Sequence, residues 1–406
     1  MKEAVVIFFR GEHERHLEVL EQAVRAVRDS RQSAVCLIPS GTNVQDGVVE
    51  HVRHYDSSRG EVGLTEVMKG IVNDFQVRRI IALAEQDVQP AARMRDFFGI
   101  PGMTSRESLY FRDKNAMAAR AAEEGAIVAA SCQPHTFKTL LSFAEKVGFP
   151  IVVKPYDGVS CTNTYKVRDV AELEQLWPLI EEQRHDYRAE EFVHGKQFHV
   201  DAILRDGEVI FEAISEYSAT ILDNIGSGPL GSVAHAGTQN PKHLDMMAQN
   251  RKIIRSFGLS TGVAHTEFYL QDDGTIVFGE TAARMAGAWN TMIYSGAFGM
   301  ELAYEWVRAE ADPAYQWTPK VIRCAASEFL WTSHTGRIER ITDREQLADL
   351  PGVVDVKIWK KLGDVIGQAE GSRGQDLGRV IIAGETADEV RARVAEVRRT
   401  FSVTCA

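Results

Sequence analysis

Over the first 110 or so residues, apolar strand-like runs alternate with stretches of helical periodicity, and that alternation leaves few folds open. Residues 4–9 form one continuous apolar run, and residues 34–38 form a second, closed by Pro39-Ser40-Gly41. Residues 79–84 form a third. Between them Leu17, Leu20, Val24 and Val27 recur at helical spacing, and residues 64–75 and 88–98 read as helices, the latter stopped by Gly99-Ile100-Pro101-Gly102. Strand–helix alternation of this kind implies a mostly parallel α/β sheet. Ligands meet such sheets at the carboxyl ends of strands. Gly11-Glu12 and Glu85 stand at two of those ends.

A second constraint lies in residues 262–289, GVAHTEFYLQDDGTIVFGETAARMAGAW. Residues 265–270 alternate as a strand, Asp272-Asp273-Gly274 is turn chemistry, and residues 275–279 are β-branched and apolar, so a hairpin is predicted. Each strand carries a carboxylate, Glu267 on the first and Glu280 at the end of the second. A hairpin closed at Asp273-Gly274 brings the two together across the ladder. Arg284 follows four residues after Glu280. Taken by themselves these residues fit two descriptions. One is a Mg²⁺ and phosphate site, since Mg²⁺ takes one or two carboxylates and completes its shell with phosphate oxygens and water. The other is a surface hairpin with two solvated acids.

The chain between these features carries lysines and glycines in a fixed order. Asp113 is placed to cap a helix over residues 115–124. Residues 149–154 form a strand ending in Lys154-Pro155, followed by the loop Asp157-Gly158-Val159-Ser160-Cys161-Thr162-Asn163-Thr164. Small and hydroxyl residues in such a loop can wrap a polyphosphate through backbone N–H groups, although the G-x-x-x-x-G-K-[ST] pattern is absent. Residues 188–193, then His194-Gly195-Lys196-Gln197, lead into a strand over residues 198–204 and a turn at Arg205-Asp206-Gly207. A Gly/Pro/Ser-rich loop over residues 224–237 contains His235. Helices are predicted over residues 242–257 and, after the hairpin, over residues 290–308. A composition shift at residues 309–319 precedes a small α+β unit in which no catalytic constellation is visible, so domain packing or a homodimer contact is its expected role.

Composition excludes several classes. At 406 residues the chain is expected to hold two or three domains. Its 46 basic and 57 acidic side chains give a net charge of −11, which argues against a broad nucleic-acid footprint. Five scattered cysteines without C-x-x-C spacing fit a reducing cytoplasm better than a disulfide framework or zinc cluster. The apolar run at residues 4–9 is too short for a signal core or a membrane span, and no longer run follows.

The order of these signals resembles the ATP-grasp superfamily, in the carboxylate–amine ligase branch related to biotin carboxylase and similar to L-amino acid ligases. The resemblance covers nearly the whole chain. It implies a preATP-grasp-like α/β domain at residues 1–110 and an ATP-grasp core at 111–310, with a lid subdomain at about 125–195. A biotin-carboxylase-like α+β domain follows at 311–406. Position by position, Asp113-Lys114 with Met117 matches the start of the family's central helix and implies that Lys114 contacts ATP phosphate. Phe149-Pro150 with Lys154-Pro155 matches F-P-x-x-x-K-P and implies that Lys154 bridges adenine and phosphates. Gly158, Ser160, Cys161 and Thr162 fall in the mobile glycine-rich loop. Glu190, Glu191, Phe192 and Val193 match the adenine-reading hinge, with Gln197 at the ribose-facing position. Glu267 and Glu280 match the metal carboxylates, for Mg²⁺ or Mn²⁺, and Arg284 the phosphate arginine. His235, in VAHAGTQNP, resembles a histidine near the phosphate-transfer site. Trp289, Asn290 and Thr291, with Met292 and Tyr294, are the expected substrate wall.

The sequence also departs from the family. Ala282 stands where the family commonly has an Asn, removing a third metal ligand. Asn163 replaces the last loop glycine and tolerates positive φ better than other residues. Cys161 replaces a common serine. The chemistry implied is attack of a substrate carboxylate on the γ-phosphate of ATP, giving an acylphosphate and ADP, then attack by an amine with loss of phosphate. Loading of an acid onto a carrier-protein thiol, a carboxylase-like reaction, and a nucleotide-binding protein without catalysis are the alternatives.

Overall fold

The structure is a computed structural model that describes all residues except 12–13, 45–46, 225–227, 288–289 and 368–375. The predicted parallel sheet is present. Its strands run in the spatial order His51–Tyr55, Ser33–Pro39, Lys2–Phe8 and Phe75–Ala82, all parallel. Lys2–Phe8 is central and buried from Ala4 onward, which is what an uninterrupted apolar run requires. The helices Glu14–Asp29, Gly60–Asp74 and Val88–Phe98 cover it. His51–Tyr55 is an additional edge strand. Its sequence, HVRHY, is half-exposed and polar, so no apolar run announced it.

Most of the remaining chain organises around a nine-stranded sheet. Its spatial order is Val353–Ile358, Asp376–Gly384, Cys324–Trp331, Gly231–Ala234, Glu208–Tyr217, Lys196–Arg205, Gly262–Leu270, Ile276–Ala282 and Ile127–Val128. Gly231–Ala234 pairs antiparallel with Cys324–Trp331, so hydrogen bonding runs without a break across the composition shift at residues 309–319. A separate four-stranded antiparallel sheet, Ser131–Cys132, Tyr187–Glu191, Ile151–Pro155 and Tyr165–Val167, has its own apolar core with Leu140, Ile151, Val153, Leu173 and Ile180. The chain ends in a small sheet of Val365–Ile366, Gly336–Ile341 and Val403–Cys405.

The two faces of the large sheet differ in chemistry because side chains alternate along a strand. On Lys196–Arg205, residues Phe198, Val200, Ala202 and Leu204 join the main apolar core, together with Met117 and Ala121 and with Met246, Ile253 and Ile254. Gln197, His199 and Asp201 point to the other face and are also buried. The helix Lys114–Glu123 is capped as its sequence predicts, with the Asp113 carboxylate accepting from the backbone N–H of Asn115 and Ala116 at 2.8 and 3.1 Å.

One predicted element breaks in two. The single helix expected over residues 290–308 is a 3₁₀ turn at Asn290–Met292, a helix Ile293–Phe298, and a second helix Leu302–Ala311. Gly299 ends the first helix in the left-handed region at φ 65°, with its N–H bonded to Ser295 O. Apolar periodicity alone could not show that stop; the glycine at a C-terminal cap position was the available signal.

His235 lies on the apolar face, not in the cleft. Its ring is 3.5 Å from Glu216, which also pairs with Lys196 and Arg391, and 4.6 Å from the ring of His243. His243 is buried and bonded to Thr238. Burial, and then the neighbouring His235, depress its pKa from 6.5 to about 4.

Two predictions follow from these placements. Gly195 has φ 142°, and a Cβ there would lie 2.4 Å from Leu270 O. Gly195→Ala is therefore expected to destabilise the fold by at least about 1–3 kcal/mol, measured as a lowered urea midpoint at unchanged slope. For His243, the unfolded chain takes up a proton near pH 6.5 while the folded chain resists it to about 4. Stability then falls as pH drops through that window, by at most about 3 kcal/mol for this group. In denaturation curves between pH 7 and 4, His243→Asn should flatten the decline. An unchanged slope rules out His243 as a source of acid lability.

Candidate nucleotide and substrate site

The predicted hairpin is in place. Gly262–Leu270 and Ile276–Ala282 pair antiparallel, and the turn closes with Gly274 N–H bonded to Gln271 O at 2.9 Å and φ 85° at Gly274. The register shifts between Thr266 and Phe268, so a bulge at Gly279-Glu280 sets that pair opposite Glu267. Both carboxylates open onto a cavity of about 640 Å³. The cavity lies between the large sheet, the four-stranded sheet and the carboxyl ends of the N-terminal parallel strands, with Phe9, Arg10 and Glu85 on its N-terminal wall.

Two carboxylates this close require cations, because like charges in a partly enclosed site raise each other's pKa. Lys114 Nζ lies 3.6 Å from Glu280 Oε2 and also donates to Gly158 O at 2.9 Å. Burial pushes the Glu280 carboxyl up, but Lys114, Lys154 and Arg284 outweigh it and hold the pKa at about 2. Lys154 pairs with Glu190, which Arg188 approaches at 3.3 Å. Burial works against the Lys154 ammonium, yet Glu190 and Glu280 keep its pKa above the ordinary lysine value. Glu85 receives the Arg284 Nε and Nη2 at 3.0 and 2.7 Å and pairs through its other oxygen with Arg112. Arg284 is thereby anchored to the N-terminal domain, with Nη1 on Met285 O.

Among the predicted residues, Lys114, Lys154, Gly158, Ser160, Cys161, Glu190, Glu191, Phe192, Val193, Gln197, Glu267, Glu280, Arg284, Asn290 and Thr291 line this one cavity. Three do not meet there. His235 is on the opposite face of the sheet, as described. Thr162 is exposed, because the turn Val159 to Thr162, with N–H to O at 3.0 Å, directs it outward. Tyr294 lies behind the wall, fully buried. Trp289 falls outside the described residues. Gln197, expected to face ribose, uses its amide otherwise: Nε2 donates to Glu267 at 2.8 Å and Oε1 accepts from Ile221 N–H.

The loop over residues 158–164 is in an unusual conformation. Ser160, Cys161 and Asn163 have φ of 53°, 55° and 54°, a region that non-glycine residues enter at a cost. The tolerance of Asn163 was legible; that of Ser160 and Cys161 was not. Burial, and then Glu280 and Glu267, push the Cys161 thiol up to about 12, so it stays neutral.

Sequence reasoning missed a buried polar line on the same face. His199 stands opposite Glu267 and Asp201 opposite His265 in the ladder. Asp201 accepts from both imidazoles and from Tyr294 OH. Burial opposes the Asp201 charge, but His265 and His199 hold its pKa well below the carboxylate range. Tyr217 OH donates to Glu267 at 3.2 Å. The signal existed: His199-Val200-Asp201 and His265-Thr266-Glu267 place polar groups two apart in otherwise apolar strands, hence on one face.

Comparison with known proteins adds an independent line. Residues 147–292 match the ATP-grasp domain family, and residues 328–406 match L-amino acid ligase C-terminal domain 2. The chain is 24% identical over 358 residues to the L-arginine-specific L-amino acid ligase of Bacillus subtilis, covering 87% of this chain and 86% of that protein. Its fold matches the crystal structure of an L-amino acid ligase from Bacillus licheniformis with a TM-score of 0.81 at 18% identity, over 100% of both chains. It also matches the biotin carboxylase domain of Hydrogenobacter thermophilus 2-oxoglutarate carboxylase, in complex with MgADP, ADP and bicarbonate. There the TM-score is 0.71 at 13% identity, over 100% of this chain and 91% of the other. With an ATP-grasp domain followed by an L-amino acid ligase C-terminal domain, the chain has the domain order of an ATP-dependent carboxylate–amine ligase.

Proposed function

We propose that the chain joins two amino acids, using ATP to activate the carboxylate of the first and the amino group of the second as nucleophile. The observation that carries this reading is the Glu267–Glu280 pair beside Lys114, Lys154 and Arg284, all on the cavity that Glu190 to Val193 and Gly158 to Cys161 also line. Lys114 and Lys154 hold the polyphosphate, and the hinge at Glu190 to Val193 receives adenine. A divalent cation, Mg²⁺ or Mn²⁺, supplies charge neutralisation among the phosphate oxygens when bound, and Glu267 and Glu280 are the residues that hold it. Their hard oxygen donors fit such an ion.

A carboxylate oxygen of the first amino acid attacks the γ-phosphorus and ADP leaves. The amine nitrogen of the second attacks the acyl carbon, inorganic phosphate leaves, and the nitrogen gives up a proton. The protein forms no covalent bond in this sequence, so its contribution is positioning and charge stabilisation. Arg284 stabilises the transferring phosphoryl group. Asn290, 6% exposed, lines the cavity, and its buried Oδ1 has no partner among the described residues. A buried acceptor without a donor costs free energy, and an amino group of substrate meets that need. Among the described residues no helix is long and apolar enough to cross a membrane, and all five cysteines are free; we place the enzyme in the cytoplasm.

The reading is tested by incubating purified protein with ATP, Mg²⁺ and pairs from the twenty amino acids, following ADP and identifying products by mass spectrometry. A product at the combined mass less water supports it. ADP release only with bicarbonate, or only with a carrier protein that gains mass, replaces it. At the site, Glu280→Gln is expected to lower metal-dependent ADP release by at least about 10²-fold. Unchanged turnover in that variant would sink the metal assignment. Asn290→Ala should act mainly on the KM for an amino acid, leaving that for ATP near its original value.

A further inference from the structure

Behind Glu267 the polar line is buried. His199, Asp201 and Tyr294 are 0% exposed and His265 is 5% exposed. Asp201 is its hub. Oδ1 takes His265 Nδ1 at 3.0 Å, and Oδ2 takes His199 Nδ1 at 2.7 Å and Tyr294 OH at 2.5 Å. The far nitrogen of His199 meets Ser232 Oγ at 2.7 Å, and the far nitrogen of His265 lies 3.4 Å from Glu267 Oε1. Among the described residues the Glu267 carboxylate therefore has three polar partners, Gln197, Tyr217 and His265. A carboxylate offers about four lone-pair positions, so such a shell fixes its orientation and leaves room toward the cavity. Tyr294 is the second residue of the helix that follows Asn290, Thr291 and Met292. One buried carboxylate thus touches both the support of Glu267 and the support of the substrate wall.

We propose that Asp201 is a positioning residue that fixes Glu267 through His265 and, through Tyr294, couples binding of the divalent cation to binding of the carboxylate substrate. The proposal rests on the reading of Glu267 as a metal ligand. Partners of metal ligands orient them, and removing one costs about 10–100-fold in metal affinity. Coupling of this kind is reciprocal: if the amino acid tightens the metal, the metal tightens the amino acid by the same factor. The ring nitrogens and carboxylate oxygens of His199, Asp201 and His265 lie within 4.8 Å of one another, a spacing that could also hold an ion. Each of these groups, however, already has a partner on both sides, and hydrogen bonding accounts for the arrangement in full.

The test is Mn²⁺ binding followed by electron paramagnetic resonance on full-length protein with ADP, with and without a turned-over amino acid. Asp201→Asn, which keeps the shape and removes the charge, is expected to weaken Mn²⁺ binding about 10–100-fold. ADP affinity measured in EDTA should be unchanged, which general unfolding would not allow. Tyr294→Phe keeps the ring against Phe211 and Phe298 and removes only the hydroxyl. It should abolish the effect of the amino acid on Mn²⁺ affinity, and it decides the matter alone if Asp201→Asn does not fold. Glu267→Gln separates the two layers. If it weakens Mn²⁺ binding while Asp201→Asn and Tyr294→Phe do not, the positioning role is overturned and the reading of Glu267 stands. If Glu267→Gln has no effect, the ligand reading fails and the inference with it. A metal ion that survives EDTA and is lost in Asp201→Asn also overturns the proposal, since Asp201 would then be a ligand.

Discussion

Two carboxylates forced together by a hairpin are the constraint on which the site depends. The turn at Gln271 to Gly274 fixes the register, and the bulge at Gly279-Glu280 sets Glu280 beside Glu267. In a partly enclosed cleft that pair is unfavourable until cations surround it. Three cations do so: Lys114 at the start of a capped helix and Lys154 on the strand Ile151–Pro155, both far off in sequence, and Arg284 just beyond the hairpin. The hairpin therefore draws the other elements into place electrostatically as well as by packing.

Much of this was legible from the residues. Apolar runs and helical spacing predicted the parallel sheet and its helices, because burial on both faces leaves an unbroken apolar signature. The hairpin was legible because Asp-Asp-Gly between alternating runs admits few other conformations. What was not legible has physical causes. The strand His51–Tyr55 sits at an edge, half-exposed, where no apolar run is required. The Glu85–Arg284 pair spans 199 positions, a separation that no local pattern encodes. His235 was placed by its neighbours in sequence, yet its position on the ladder after Gly231–Ala234 sends it to the face of Phe198 and Glu216. A shift of one residue in a strand changes the face, and that is invisible without the register.

The large sheet also connects the last quarter of the chain to the site. Cys324–Trp331 and Asp376–Gly384 extend the sheet that bears Glu267, and Asp376 reaches the cavity wall. Lys357 pairs with Glu18 of the N-terminal helix Glu14–Asp29, and Arg391 with Glu216. Those contacts tie the terminal region to the helix beside the N-terminal sheet and to the far face of the core.

The substitution at position 282 can be understood in the same terms. Ala282 pairs with His265 across the ladder and is buried, on the face that carries Glu280 and the proposed metal site. Here the methyl group offers no ligand. The place beside it is taken by the His265 ring, which turns one nitrogen to Asp201 and the other toward Glu267. On the proposed reading of Glu267 as a metal ligand, its hydrogen-bonded support stands where position 282 supplies no third ligand. Gln197 contributes to the same end by spending its amide on Glu267. A site with fewer direct ligands depends more on how firmly each is held, and the fully buried hydrogen-bonded line behind Glu267 is the structural counterpart of that dependence.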